Sequence, residues 1–282
     1  MQVHLETFLA MNTRLSVLAP GADAVSGARL ARRVRAVAAA QERRMSRFRA
    51  DAELAGLNAC AFERPVRVSA TLWRILTACG EHWRRTRGAF DVAWQAAADV
   101  GQSGFSRVRL NPDERSVRFA SPEVRLDLGG IGKGVALKAV ETALRRMGMT
   151  SGLVSFGESS ILALGAMPNG ADWVIGLAEA GDLVNTGGSG LSLRDACLST
   201  SGTGQGAAPT VDPRTGEVAS PERLVSVVCR CPVEAEVVST ALLARPAERD
   251  WILQQYQPIR AIEFALDRRG GFLERRVAWS HG

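Results

Sequence analysis

The chain has 282 residues, which at about 150 residues per domain permits one large domain or two small ones. Apolar residues make up 46% and charged residues 23%, a composition that excludes a disordered chain, a coiled coil and a collagen-like fibre. No apolar run reaches the ~18 residues that a membrane span needs, so no membrane span is predicted.

The formal net charge is +6, and Lys133 and Lys138 are the only lysines among the 35 basic residues. The arginines are scattered and form no long basic run with aromatic residues, so the charge indicates affinity for anions without predicting a nucleic-acid partner. Five scattered cysteines make a poor disulfide framework and favour a reducing compartment. The N-terminus has no signal-peptide pattern, which together with the cysteines predicts a cytoplasmic protein.

The hydrophobic pattern of the first half of the chain predicts a mixture of strands and helices. Val3–Leu18 predicts a strand or bent hairpin, and Asp23–Met45 predicts a helix. Ser69 is the expected N-cap of a helix that ends at Gly88 and carries His82 as a solvated residue. The remaining predictions are a short helix at Asp51–Leu57 and strands at Phe105–Leu110, Ser116–Ala120 and Val124–Leu128.

The second half continues the same mixture. A glycine loop is predicted before a helix that carries Ala136, Val140 and Ala143 on one face. Later predicted elements are strands at Leu153–Phe156, Ser160–Leu164 and Trp173–Leu177, a turn at Asn185–Gly190, a loop over Leu198–Gly216, a strand at Leu224–Cys231 with Cys229 and Cys231 on one side, a helix at Val233–Ala244, and strands at Arg260–Leu266 and Gly271–Ala278. With no break in composition and no repeat, the pattern predicts one α/β unit of mixed α+β character over residues 1–282.

The strongest local signal is the segment Arg125–Gly134, which carries glycines at 129, 130, 132 and 134. Glycines allow backbone N–H groups to approach a phosphate, and a helix N-terminus favours negative charge. Lys133 is placed to pair with that phosphate. Gly134 stands where a Walker A loop needs Ser or Thr, and the third glycine of a dinucleotide fingerprint is missing. A glycine-rich turn with a solvent-facing lysine explains the pattern equally well.

Two other segments carry candidate oxygen ligands. The hydroxyls and glycines of Leu198–Gly204, followed by Val211–Gly216, suit phosphate oxygens. On the predicted helix Val233–Ala244, the oxygens of Glu236, Ser239 and Thr240 share one face, and such ligands suit Mg²⁺. Taken alone, an ordinary turn and an amphipathic helix explain these two segments better.

In order and spacing, these segments resemble the ApbE family of FAD:protein FMN transferases. The resemblance covers nearly the whole chain and is most specific at Asp127–Gly134, which is similar to "DLGgiaKG". The other matching segments are Phe8–Thr13 ("aMGT"), Met45–Asn58 ("mS.y..dSelsrlN"), Gly88–Asp91 ("GaFD"), Thr200–Gly202 ("TSG"), Asp212–Gly216 ("DPrTG") and Ala235–Ala241 ("AD.l.Ta").

The resemblance implies a mixed α/β unit with two lobes around a flavin cleft. It implies that the chain uses FAD and Mg²⁺ to attach FMN to a threonine or serine hydroxyl of an acceptor flavoprotein, releasing AMP. By position, the expected cofactor-binding residues are Met11, Phe48, Ala89, Phe90, Asp91, Asp127, Lys133, Thr200, Ser201 and Thr210. The expected metal positions are Gly130, Glu236, Ser239 and Thr240.

The chain departs from the family pattern at its candidate base. Pro209 stands where the family has a histidine, and proline can neither accept nor donate a proton, so no catalytic residue is identified. Glu236 replaces an aspartate, Ser239 replaces a second acid, and Phe48 replaces a tyrosine. Three hypotheses follow: an intact transferase, a catalytically impaired FAD-binding protein of the same fold, and a scaffold with another role.

Overall fold

The computed structural model describes residues 2–93, 104–176, 190–202, 210–266 and 272–275. The helices are α1 (Ala24–Met45), α2 (Glu53–Cys60), α3 (Ala70–Arg85), α4 (Gly129–Arg146), α5 (Pro232–Ala244) and α6 (Arg249–Tyr256). The strands are β1 (Val3–Ala10), β2 (Thr13–Pro20), β3 (Val66–Arg67), β4 (Val108–Asn111), β5 (Ser116–Phe119), β6 (Gly152–Phe156), β7 (Ser160–Leu164), β8 (Trp173–Gly176), β9 (Gly190–Leu193), β10 (Ala196–Gly202), β11 (Arg223–Cys229), β12 (Arg260–Leu266) and β13 (Phe272–Arg275). This mixture confirms the predicted fold class.

The strands form one large sheet and two small ones. The large sheet has the order β1-β2-β6-β7-β10-β11-β12-β13, and every neighbouring pair in it is antiparallel. The small sheets are β3-β5-β4 and β8-β9. The predicted hairpin over Val3–Leu18 is confirmed as β1 and β2, joined at Met11 and Asn12 in left-handed backbone conformations.

The two faces of the large sheet are covered differently. Helices α1, α4 and α5 pack on one face, where a large apolar core includes Leu15, Val154 and Val227. The β8-β9 hairpin covers the other face, with Trp173 and Leu193 in a second core. Because α4 and α5 lie side by side on the first face, their facing side chains are brought together with those of β7 and β10.

Helix α4 begins at Gly129, so the predicted glycine loop is wrong and its glycines form the first turns of the helix. Close packing on α5 explains the requirement for glycine at Gly134. A Cβ added there would lie 2.5 Å from the carbonyl oxygen of Pro232 and 2.8 Å from Cγ of Glu236. The glycine therefore permits a helix–helix contact that any side chain would block.

Several predicted elements differ in the structure because backbone groups find other partners. Val124–Leu128 is not a strand: Asn58 pairs with both backbone polar groups of Leu126, and the N–H of Asp127 donates to the carbonyl of Val92. The first part of the predicted loop Leu198–Gly216 is strand β10, which pairs with β7 and β11.

Other boundaries shift by a few residues. The predicted strand Phe105–Leu110 opens as a 3₁₀ turn at Gly104–Arg107. The strand predicted to reach Cys231 ends at Cys229, and Cys231 becomes the N-cap of α5, so the two cysteines do not share a strand face. Parts of four predictions lie outside the described residues: Leu177, residues 185–189, residues 203–209 of the predicted loop, and residues 271 and 276–278 of the last strand.

His82 is buried, so the prediction of a solvated histidine is wrong. Its residue is 7% exposed, and its Nδ1 lies 2.8 Å from the hydroxyl of Tyr256 on α6. Burial, reinforced by the positive charge of Arg85, lowers the pKa of His82 to about 4. Within the described ranges, no helix is both long enough and apolar enough to cross a membrane.

Candidate active site

The candidate site centres on the N-terminal turn of α4, which faces α5. A Cβ placed on Gly130 would lie 3.4 Å from Cγ2 and 3.6 Å from Oγ1 of Thr240, and 3.5 Å from Cε2 of Phe90. Gly130 and Gly134 on α4 thus oppose Thr240 and Glu236 on α5, each pair four residues apart. The structure brings together Gly130 and Thr240, two of the four expected metal positions, and places the expected cofactor-binding residue Phe90 beside them.

A cluster of hydroxyl groups joins α5 to strand β10. The Oγ of Ser239 lies 3.0 Å from that of Ser199 and 2.8 Å from that of Ser201, and it donates to the backbone carbonyl of Glu236 at 3.1 Å. Ser201 also lies within 3.4 Å of the hydroxyl of Thr240. Ser199 and Ser201 are two residues apart on β10, so their side chains point to the same face of the sheet, the one that the helices cover.

Glu236 provides the carboxylate of this region. It is 4% exposed, and one of its oxygens accepts a hydrogen bond from the hydroxyl of Ser160 on β7, itself fully buried. A buried carboxylate is costly unless hydrogen bonds or a cation compensate its charge. Ser160 was not among the predicted site residues, and only the antiparallel arrangement of β6, β7 and β10 places it there.

The four expected metal positions fit a hard cation in the chemistry of their donors. Gly130 offers a carbonyl, Ser239 and Thr240 offer hydroxyls, and Glu236 offers a carboxylate, which are the oxygen ligands that Mg²⁺ prefers. In the described part of the chain, no three His, Cys, Asp or Glu side chains converge as a metal site. With a single carboxylate, a cation held here would need further negative charge from its substrate.

Lys133 lies between Gly132 and Gly134 near the start of α4, and its side chain reaches the turn between β6 and β7. Its Nζ donates to Oγ of Ser159 at 2.6 Å, and the carbonyl of Ser159 accepts the N–H of Thr200 at 2.7 Å. The ammonium therefore meets a neutral hydroxyl, which leaves its charge available to an anion. The side chain of Thr200 instead pairs with Ser226 at 2.8 Å, away from Ser199 and Ser201.

Asp127 is held by protein groups on both of its carboxylate oxygens. Oδ1 accepts the N–H of Gly129 at 2.9 Å, and Oδ2 lies 3.0 Å from Nε of Arg47. The guanidinium of Arg47 also stacks 4.2 Å above the ring of Phe48, which is 73% exposed. An exposed aromatic ring near the glycines that begin α4 offers a face for stacking a planar ligand. Arg47 was missed by the sequence analysis, and no sequence signal marks it.

The segment Ala89–Asp91 forms a buried turn beside α4. Ala89 and Phe90 are almost fully buried, and the N–H of Phe90 donates to Oγ1 of Thr86 at 3.0 Å. Asp91 is also buried, and its two oxygens accept the N–H groups of Ala93 and Phe105 at 2.8 and 3.2 Å. The carboxylate of Asp91 thus fixes local backbone, and Phe90 is the residue of this segment beside Gly130.

The remaining predicted residues lie at the border of the site. Met11 is half-buried, and its methyl group would lie 3.3 Å from a Cβ added to Gly132. Thr210 is half-buried and opens a short hairpin in which its carbonyl accepts the N–H of Ala219 at 2.8 Å. Pro209, at the expected position of the base, lies outside the described residues.

Buried thiols do not supply the missing base. Burial raises the pKa values of Cys79, Cys197 and Cys229 well above their ordinary range, so these thiols stay protonated. Cys229 is 3% exposed and packs in the large apolar core.

Comparison with known families decides the affiliation of the chain. The model of the ApbE family matches residues 11–262. The chain belongs to the ApbE family. The matched stretch contains every predicted site residue of this ApbE chain.

Curated relatives of this ApbE chain carry one functional name. The chain is 25% identical over 272 residues to the FAD:protein FMN transferase of Treponema pallidum (strain Nichols), and the match covers 81% of this chain and 75% of the relative. It is 24% identical over 270 residues to the FAD:protein FMN transferase of Klebsiella pneumoniae (strain 342), covering 84% and 76%.

Solved structures confirm the ApbE fold. The flavin transferase ApbE from Vibrio cholerae superposes with a TM-score of 0.77 at 19% identity, covering 98% of this chain and 97% of that one. The apo form of the flavinyl transferase ApbE from Pseudomonas stutzeri gives a TM-score of 0.79 at 20% identity, with coverage of 98% and 95%.

Proposed function

We propose that this chain transfers the FMN moiety of FAD to a threonine or serine hydroxyl of an acceptor protein, with Mg²⁺ bound, and releases AMP. The observation that carries the proposal is the convergence of Phe90, Gly130 and Thr240 at the N-terminus of α4. Its relatives from Treponema pallidum and Klebsiella pneumoniae, named FAD:protein FMN transferases, support the same activity. We further propose a cytoplasmic acceptor, in keeping with five free thiols.

The N-terminus of α4 suits the pyrophosphate of FAD. The first turn contains no acidic residue, and its backbone is exposed at Gly129 and partly exposed at Gly130. The N–H of Gly129 already donates to Asp127, so an anion would meet the turn at Gly130. The helix dipole favours negative charge there, and Lys133 adds a full positive charge within the same turn. Phe48, exposed on the neighbouring segment, supplies a ring face for the flavin.

Mg²⁺ would be held by the carbonyl of Gly130, the hydroxyls of Ser239 and Thr240, and the carboxylate of Glu236. When bound, the ion would neutralise charge on the pyrophosphate as AMP departs. Ser160 orients Glu236 through its hydrogen bond, and the packing of Glu236 against Gly134 limits the positions that its side chain can take.

The proposed reaction forms one bond and breaks one. The acceptor hydroxyl oxygen attacks the FMN-side phosphorus, the bond from that phosphorus to the bridging oxygen breaks, and AMP leaves with the electron pair. The hydroxyl proton needs a base, and Pro209 offers none. Solvent or another group must therefore take the proton, which lowers the expected rate.

Pro209 favours a second candidate function, a catalytically impaired protein that binds FAD without transferring FMN. The two functions share the flavin site and differ only in turnover. Binding of FAD alone therefore cannot separate them, whereas release of AMP can.

The deciding experiment incubates the purified protein with FAD and Mg²⁺, with and without an acceptor domain, and quantifies AMP by chromatography. Covalent FMN on the acceptor is measured by mass spectrometry. AMP that appears only with the acceptor, together with the FMN adduct, supports the transferase. FAD bound without AMP favours the impaired binder, and the absence of both overturns the proposal.

The metal assignment is tested by Glu236→Ala, with Glu234→Ala as the matched control. Glu234 lies two residues away on the same helix and forms a half-buried ion pair with Arg85. We expect Glu236→Ala to abolish AMP release and Mg²⁺ dependence while Glu234→Ala retains both. Undiminished release from Glu236→Ala would refute the role of Glu236 as a ligand.

A further inference from the structure

Arg245 is a buried cation at the end of α5 that the proposed function leaves unused. Its residue is only 6% exposed, although arginine is rarely buried without partners. Its guanidinium reaches three groups: the carboxylate of Asp212 at 3.5 Å, the backbone carbonyl of Arg87 at 3.2 Å and the carboxylate of Glu248 at 3.3 Å. The planar fork of arginine can hold several acceptors in fixed directions.

The first partner, Asp212, organises the hairpin that follows Thr210. Its Oδ1 accepts the N–H of Arg214 at 2.8 Å, and its backbone exchanges hydrogen bonds with Gly216 and Glu217. Its other carboxylate oxygen is the one that faces Arg245. The hairpin is thus tied to α5 through a charged contact with one side chain.

The second partner, Arg87, lies two residues before the Ala89–Asp91 turn. Arg87 and Gly88 both have left-handed backbone conformations, with φ of 52° and 76°, and such a conformation is unfavourable for a residue with a side chain. Donation from Arg245 to the carbonyl of Arg87 stabilises this turn. The guanidinium of Arg87 also donates to the carboxylate of Glu248 at 3.4 Å. Glu248, the N-cap of α6, therefore binds both Arg87 and Arg245.

We propose that Arg245 is a positioning residue that fixes the Ala89–Asp91 turn and the Thr210 hairpin in register with the N-terminus of α4. The inference rests on the proposed function. The polar partners of Arg245 include Arg87 and Asp212, each two residues from the segment that it would position, so Arg245 acts through them. Both segments carry expected FAD contacts, and Thr240 on α5 lies five residues before Arg245, the C-cap of that helix.

The experiment compares Arg245→Lys, Asp212→Asn and the control Arg249→Met. Lysine keeps the charge but loses the fork, and asparagine keeps the oxygen that accepts the N–H of Arg214 while losing the charge toward Arg245. Arg249 pairs with Asp250 and Glu263. We expect Arg245→Lys and Asp212→Asn to raise KM for FAD and lower kcat/KM about 10- to 100-fold, because small displacements of positioning groups cost this much.

The split between KM and kcat separates positioning from mere folding. A purely structural role would reduce the amount of folded enzyme, which lowers the apparent kcat and leaves KM unchanged. Thermal unfolding identifies variants that do not fold, and only folded variants are compared. Wild-type KM in folded Arg245→Lys and Asp212→Asn, or an equal rise in Arg249→Met, would overturn the inference.

A failure of the proposed function is recognised separately. A wild-type chain that neither binds FAD nor releases AMP overturns that function, and with it the flavin role of Arg245. A wild-type chain that transfers FMN while the two variants keep its KM overturns the inference alone.

Hydrogen exchange at the amides of Gly216 and Ala219 is a direct measure of the hairpin. If Arg245 holds the hairpin through Asp212, exchange should be faster in Arg245→Lys and unchanged in Arg249→Met.

Discussion

Gly134 and Glu236 face each other so closely that a Cβ on the glycine would lie 2.8 Å from Cγ of the glutamate. The same added atom would lie 2.5 Å from the carbonyl oxygen of Pro232, which is backbone and cannot swing away. This contact sets the separation of α4 and α5. It therefore governs the distance from Gly130 on α4 to the candidate metal ligands Glu236, Ser239 and Thr240 on α5.

We predict that Gly134→Ala destabilises the protein by about 1–3 kcal/mol, because the methyl group overpacks a backbone contact. The matched control is Gly56→Ala in α2, where an added Cβ meets nothing within 4 Å. Alanine there should stabilise by about 0.5–1 kcal/mol through its helix propensity. Urea unfolding measures both free energies, and equal effects would contradict the close-contact argument.

Ser160→Ala removes the hydrogen bond to the buried carboxylate of Glu236. We expect the free energy of unfolding to fall by about 1–3 kcal/mol, because the carboxylate loses a donor that water cannot replace. Ser16→Ala is the control, since Ser16 pairs with Thr7 in an exposed hydrogen bond and should cost less than about 0.5 kcal/mol. In the Glu236→Gln background Ser160→Ala should cost less, and additive costs would refute the coupling.

Asn58 pairs with both backbone groups of Leu126 at 2.9 Å and so anchors the segment that leads into α4. Asn58→Ala should cost about 1–3 kcal/mol, because a partly buried N–H and carbonyl lose their partners. Asn58→Asp should cost at least as much at pH 7, since a carboxylate oxygen would replace the amide donor that faces the carbonyl of Leu126. Unfolding at pH 7 tests the order, with Asn169→Ala in an exposed turn as the control.

The lowered pKa of His82 predicts that the folded protein loses stability in acid. Its pKa is about 4 in the folded protein against an ordinary value of 6.5, so the unfolded chain takes up the proton first. Stability is therefore fully present above about pH 6.5 and declines as the pH falls toward 4, by up to about 3 kcal/mol. His82→Gln lacks this titration, so the stability difference between wild type and variant should shrink from pH 7 to pH 5. A difference that does not change with pH would contradict the assignment.

The sequence by itself determined the class of the fold and the family. Local periodicity indicated most of the helices and strands: α1 repeats buried residues at the helical period, and β1 and β2 alternate more and less exposed residues. Helix α5 is buried on nearly all sides, so the expected amphipathic pattern is wrong there and is replaced by packing against α4, β10 and β11. The glycine segment at Asp127–Gly134 and the other matching segments indicated the family, because their residue types and order can be recognised in the sequence without knowing any contact.

Only the tertiary structure decided what individual residues touch. The glycines of α4 were predicted as a loop, because their requirement arises from the packing of α5 against Gly134 and not from local conformation. Strand β10 was predicted as a loop because its Ser, Thr and Gly residues have weak strand propensity that pairing with β7 and β11 overrides. Ser160, Arg47 and Arg245 carry no signal in the sequence, because each acquires its partners from segments distant along the chain.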